Sequence, residues 1–253
     1  MSNGKDTVRT EKLVPFERAV WLWAKIVTFI ITGKRKANEV ADWLQVVVSE
    51  PQFAERLRAP RNATTDTAEP SEGWAMIWER FYFEVFGLTV DLSGVSVSPY
   101  QSSFGWVVYV LKELTLNQLY AKCRCLFPCS SDYGDDLDLA IPTEDYNPHL
   151  LGNYARRFRN RVEPDEETKN MSANELTEAD LAGNTLREAL VLELFYFWLT
   201  GGGHLNLVNA NICAGSRTTG YVPRVIWEKG QFYVSRCSPN LSREYLRSRV
   251  AVS

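Results

Sequence analysis

The chain has 253 residues, a net charge of −3, a hydrophobic fraction of 45%, and 8 Trp, 11 Tyr and 12 Phe. That is enough apolar material for one large domain or two small ones, each with a proper core. The mildly acidic balance excludes the global basic excess that nucleic acid or an anionic membrane surface calls for. The aromatic load suits both cores and binding surfaces.

The N-terminal MSNGKDTVRTEK is polar and lacks the apolar core of a signal peptide, so a cytoplasmic location is the default and the location is otherwise open. Residues 14–57 read as two helices, with Pro15 early and Gly33 closing the first. The apolar run at 20–33 is interrupted by Lys25 and is short for a bilayer, so a buried helix and no membrane span are expected. In the second helix Val40, Trp43, Leu44 and Val47 share a face. Residues 59–72 are polar with two prolines and read as a linker or loop. Residues 74–86 have helical spacing and end at Gly87. Short β-prone runs follow at 88–92 and 106–111, separated by a Ser- and Gly-rich stretch at 93–105.

Thr115 and Gln118 form a capping box ahead of a helix with Leu116, Leu119 and Tyr120 on one side. Residues 127–153 read as irregular and acidic, and 163–178 as charged, with Ser172 and Glu175 as a second capping box. Residues 185–199 give the clearest helix, with a stripe of Leu186, Leu190, Leu194 and Phe197 and with Glu188 and Glu193 on other faces. Gly201, Gly202 and Gly203 stop it, and the period then changes from helix to strand.

In residues 220–246, GYVPRVIWEKGQFYVSRCSPNLSREYL, Val225 and Trp227 alternate with Arg224 and Ile226. Phe232 and Val234 alternate with Tyr233 and Ser235, and residues 228–231 are turn-like around Gly230. This predicts a β-hairpin with a buried face of Val225, Trp227, Phe232 and Val234. The other face, Arg224, Ile226, Tyr233, Ser235 and Cys237, has no common chemistry. A solvated face is normally charged or polar, and a catalytic one converges titratable groups.

Across most of residues 115–253 the chain resembles the variable (target) proteins of diversity-generating retroelements. The resemblance is carried by TLNQLYAKCRCLFPC, DDLDLAI, NYARRFRNRVEPDEETKNMSANEL, TLREALVLELFYFWLTGGGHLNLVN, CAGSR, GYVPRVIW and LRSRVAV, with a looser likeness at FGLTVDLSGV. It implies a C-type lectin fold, a scaffold of short strands and two helices, for the C-terminal part. It also implies copying of a template repeat with errors at adenines, which scatters AAY codons over residues other than Lys, Glu, Gln, Met and Trp. Tyr221, Arg224, Ile226, Tyr233, Ser235, Cys237, Leu241, Arg243 and Tyr245 all lie in the reachable set and form the implied ligand-binding surface. Glu228, Lys229, Gln231 and Glu244 lie outside that set.

Other signals carry blander readings. The five cysteines, Cys123, Cys125, Cys129, Cys213 and Cys237, are irregularly spaced, which suits reduced core thiols better than a disulfide framework or a four-ligand zinc site. Asp132, Asp135, Asp136 and Asp138 lack EF-hand spacing and read as a solvated loop rather than a calcium site. Arg156, Arg157, Arg159 and Arg161 precede Glu163, Asp165, Glu166 and Glu167, and such opposite blocks pair or face water, so no nucleic acid is expected. His204 reads as a helix-end group rather than a catalytic one. Arg247 and Arg249 read as structural, pairing with carboxylates or carbonyls.

The expectation is therefore an α+β chain. Residues 1–105 form a mostly helical N-terminal region and residues 106–253 a C-type-lectin-like domain. It binds a protein or cell-surface ligand, with no catalytic residues, metal or cofactor. The alternatives are an enzyme related to the formylglycine-generating branch, which would need paired thiols or a metal, and an interaction module that does not diversify.

Overall fold

The computed structural model describes residues 71–252, in which helices and sheets are mixed as an α+β arrangement. The two helices expected at 14–57, and residues 59–70 of the expected linker, lie outside the described residues. The first described helix, α1 (Ser71–Phe86), places Trp78, Phe81 and Tyr82 on one face, and all three are fully buried. Gly87 ends it at φ +72, a conformation glycine adopts without strain, and its N–H returns to the Phe83 carbonyl at 3.0 Å.

Strand β1 (Trp106–Val110) is the end strand of a three-stranded sheet, next to β4 (Tyr154–Phe158) and then β10 (Ala251–Val252). An end strand leaves unpaired carbonyls. Here α1 supplies the missing donors. Trp78 Nε1 donates to the Val107 carbonyl at 2.7 Å, and the Tyr82 hydroxyl donates to the Tyr109 carbonyl at 2.6 Å. Trp78 also stacks on Phe195 at 3.9 Å. The boundary expected at 105/106 therefore cuts through one core, and all the described residues belong to one compact unit. The β-prone run at 88–92 forms no ladder. Instead the Leu92 N–H donates to Glu79 of α1 at 2.9 Å while its side chain enters the core.

Helix α2 (Leu116–Leu126) has the expected Thr115–Gln118 capping box and buries Leu116, Leu119, Tyr120 and Cys123. The region read as irregular holds short elements: β2 (Cys129–Ser131), α3 (Leu137–Ala140), β3 (Thr143–Glu144) and α4 (Pro148–Leu151). None exceeds four residues, too few for a period to show in sequence. After the 3-10 turn Glu166–Thr168 comes α5 (Ala173–Glu178), which carries the expected Ser172–Glu175 box.

Helix α6 (Leu186–Thr200) is buried on every side as far as Phe195. Leu186, Leu190 and Leu194 face the core as expected, and Phe197 is half-buried. Glu188 and Glu193, on faces other than the leucine stripe as expected, are each only 1% exposed. Buried carboxylates need partners, and both have them. Glu188 accepts from Arg156 Nη1 at 3.1 and 3.2 Å, from the Thr185 N–H at 2.8 Å and from the Tyr154 hydroxyl at 3.2 Å. Glu193 is hydrogen-bonded to His204 Nδ1 at 2.7 Å and accepts the Leu205 N–H at 3.1 Å. Burial raises the Glu193 carboxyl's pKa, against the lowering effect of His204. His204 is thus the partner of a buried carboxylate rather than a helix-end group.

The charged segment at 156–167 folds its two blocks together. Arg159 meets Asp165 at 2.6 Å, Arg161 meets Glu167 at 2.6 Å, and Arg157 Nε donates to the Ser98 carbonyl at 2.8 Å. Arg249 donates to the carbonyls of Arg161 and Val162, and Arg247 pairs with Glu166, as expected for structural arginines. Desolvation lowers the Arg249 guanidinium to about 10. Among the described residues, no helix is long and apolar enough to cross a membrane.

Candidate ligand-binding face

The remaining strands build a five-stranded sheet. Its order is β2, β8 (Gln231–Cys237), β7 (Val222–Glu228), β5 (Ala210–Ile212) and β9 (Leu246–Arg247). A small ladder of β3 with β6 (Ser216–Arg217) lies apart. The expected hairpin is β7–β8, paired from Val222↔Cys237 to Glu228↔Gln231. Its two-residue turn uses Lys229 at φ +50 and Gly230 at φ +77, the two positive φ angles that a tight type I′ turn requires. Because β2 pairs with β8 and β5 with β7, both hairpin strands are held on both edges.

The core face holds Val225, Phe232 and Val234, each fully buried, and this fixes the register. Trp227, expected inside with them, is only half-buried at the turn end, where it stacks on the His204 ring at 3.4 Å. The opposite face is graded rather than open. At its far end Cys237 and Ser235 are 5% and 1% exposed, so these two of the nine expected surface residues are not displayed. Cys237 lies in a second apolar cluster with Val222, Leu176, Ile212 and Leu246, which covers that end of the sheet. Burial pushes the Cys237 thiol up.

Towards the turn the face opens. Arg224 is its hub: Nε donates to Ser235 Oγ at 2.8 Å, and Nη1 donates to the Tyr245 hydroxyl at 3.3 Å. Ile226 and Leu241 lean half-buried against the second cluster. Tyr233, cross-strand from Ile226, donates its hydroxyl to Asp132. Tyr245 is 45% exposed. The structure thus brings together Arg224, Ile226, Tyr233, Ser235, Leu241 and Tyr245. Tyr221 stands apart, with the Arg236 guanidinium 5.0 Å from its ring centre, and exposed Arg243 reaches back to the Ser242 carbonyl at 3.1 Å.

The loop carrying Leu241 to Tyr245 is tied down. The Asn174 N–H donates to the Pro239 carbonyl at 3.0 Å, Ser242 Oγ donates to the Asn170 carbonyl, and Lys169 pairs with Glu244 at 2.8 Å. Two further residues were not legible. Asp132, on the face, lies 101 residues from Tyr233 along the chain, and Arg236, beside the separate Tyr221, has the parity of the core face.

Nothing matches this chain among protein-family models, curated proteins or solved structures. The site therefore rests on its own chemistry. Among the described residues, no group of three or more His, Cys, Asp or Glu converges as a metal site would. The acidic run diverges: Asp132 takes Tyr233, Asp135 takes Arg124 at 3.1 Å, Asp136 caps Leu139 at 3.0 Å, and Asp138 caps Leu116 at 2.8 Å. The cysteines are free thiols, with Cys123, Cys213 and Cys237 buried. What the hairpin offers is an apolar and aromatic surface with guanidinium and phenol donors.

One titration probes the assembly. The hydrogen bond to Asp132, followed by partial desolvation and the Asp132 charge, raises the Tyr233 phenol above its ordinary value of 10.0. Asp132→Asn removes the charge, so one tyrosine is expected to ionise at lower pH in an ultraviolet titration, with no loss of fold. An unchanged titration would mean that Tyr233 and Asp132 do not meet.

Proposed function

We propose that this chain is a diversified ligand-binding protein. In this reading it displays a hypervariable face on a C-type-lectin-like scaffold and is a target of adenine-directed retroelement mutagenesis. The ligand is a protein or cell-surface molecule, and the chain works by recognition, without catalysis or a cofactor. The observation that carries the reading is the division of labour in the β7–β8 hairpin. Val225, Phe232 and Val234 hold the backbone from inside, while Arg224, Ile226, Tyr233, Leu241 and Tyr245 gather outside. Within residues 115–252, the part that the resemblance covers, α2 and α6 are the two longest helices, set among short strands, and this supports the scaffold assignment.

Energetics favour diversity on that side. Surface substitutions change stability by about 0.5 kcal/mol, whereas core truncations cost roughly 2–5 kcal/mol. Tyr and Arg are favoured anchors in binding hot spots, and Tyr gives a large contact area at low entropic cost.

The test is tolerance. Single-site libraries of the full chain, displayed on yeast and sorted for protease resistance, are expected to accept most residues at Tyr221, Arg224, Ile226, Tyr233, Leu241, Arg243 and Tyr245. Buried Ser235 and Cys237 are expected to accept only small side chains, and Val225, Phe232 and Val234 only apolar ones. Equal intolerance on both faces would remove the hairpin from consideration as a diversified surface.

A further inference from the structure

We infer that Leu207 and Val208 form a fixed apolar anchor beside the hairpin, and that the ligand is a protein surface with an apolar centre and an acidic edge. The inference rests on reading the hairpin as the ligand face. Leu207 is 50% exposed and Val208 is 72% exposed. Apolar side chains held out in water are ordinary when loose and scattered, but these two are adjacent and rigidly held.

A single carboxylate fixes the loop. Glu163 accepts the backbone N–H groups of Leu207, Val208 and Asn209 at 2.9, 3.1 and 2.8 Å, and Asn209 Nδ2 at 3.1 Å. Just before them Asn206 sits at φ +55. Its N–H donates to the Val162 carbonyl at 3.0 Å, and its Oδ1 accepts from Arg249 at 2.9 Å. The backbone donors are therefore satisfied internally, and only the two apolar side chains remain on offer. A loop already ordered loses little entropy when a partner arrives.

The loop is continuous with the hairpin face at both of its ends. The Trp227 N–H donates to the Asn206 carbonyl at 3.0 Å, and the Ala210 N–H donates to the Tyr245 carbonyl at 2.9 Å. The backbone of Leu207 and Val208 thus runs between the turn end of β7 and Tyr245. They precede Tyr221, the first of the residues expected to vary, so every variant would share them.

The occupant follows from shape and charge. Two cavities, of about 370 and 560 Å³, are lined by none of the nine surface residues. Small molecules prefer enclosed sites, whereas protein interfaces combine an apolar centre with a polar rim. Arg224 and Arg243 hydrogen-bond to Ser235, Tyr245 and a backbone carbonyl, and neither forms an ion pair among the described residues. Their charge is left for the partner.

A random-peptide phage library selected on the purified full chain supplies the probe. Enriched sequences are expected to combine apolar with acidic residues. One synthetic peptide from the selection is expected to lose about tenfold in affinity on either Leu207→Ser or Val208→Ser, the scale of burying one aliphatic side chain. Its binding is expected to weaken as salt rises, and the thermal midpoints of the variants to match the parent. If both substitutions leave affinity unchanged while Tyr245→Ala abolishes it, the anchor falls and the hairpin face stands. If Leu207→Ser, Val208→Ser and Tyr245→Ala all leave it unchanged, both readings fall. Failure to enrich apolar–acidic sequences overturns the assigned ligand class.

Discussion

Replacing Glu188 by Ala is expected to cost roughly 3–5 kcal/mol of unfolding free energy, the usual penalty for removing one member of a buried ion pair. Both Arg156 and Glu188 have side chains 1% exposed, so the guanidinium loses its carboxylate where water cannot replace it. Glu188 also closes the capping box of α6 by accepting the Thr185 N–H, and such a cap contributes about 1 kcal/mol. Domains of this size are stable by only about 5–15 kcal/mol, so the variant should approach unfolding at moderate temperature. Urea denaturation of the purified chain measures it. Replacing both partners with leucine is expected to be far milder than the single change, because neither charge is then left buried alone. A loss below about 1 kcal/mol for Glu188→Ala would mean that the pair is not buried in solution.

The second expected result concerns α1. Trp78→Ala removes a fully buried ring and should cost about 3–5 kcal/mol, with more from leaving the Val107 carbonyl unpaired. Trp78→Phe keeps most of the packing and loses the donor, so about 1–3 kcal/mol is expected. A chain starting at residue 106 loses the whole helix. It should show no cooperative thermal transition, because β1 then presents bare edge carbonyls and Phe195 loses its stacking partner. A cooperative transition from that shortened chain would restore the domain boundary at 105/106.

These two cases show where sequence reading stopped. Helix starts were legible because a capping box is a local signal four residues long, as at Thr115 and Ser172. The hairpin was legible because strand parity is local too. Burial of Glu188 and Glu193 was not, since their partners Arg156 and His204 come from other segments. The Ser- and Gly-rich stretch at 93–105 resembles a linker in composition, yet the helix before it donates hydrogen bonds to the strand after it. Parity placed Ser235 and Cys237 on the outer face correctly. It could not reveal that Leu176, about sixty residues away in the chain, and Leu246, beyond the hairpin, cover that end. The open part of the face, Arg224 to Tyr245, survives that correction.

The measurement that bears on the whole account is sequencing the gene and its flanks across many cells of one population. The account predicts a near-copy of codons 217–249 beside a reverse-transcriptase gene. Differences should be confined to template adenines and concentrated at the codons for Tyr221, Arg224, Ile226, Tyr233, Leu241, Arg243 and Tyr245, with those for Leu207 and Val208 constant. An invariant stretch with no neighbouring repeat would contradict it and leave the hairpin an ordinary fixed-ligand surface.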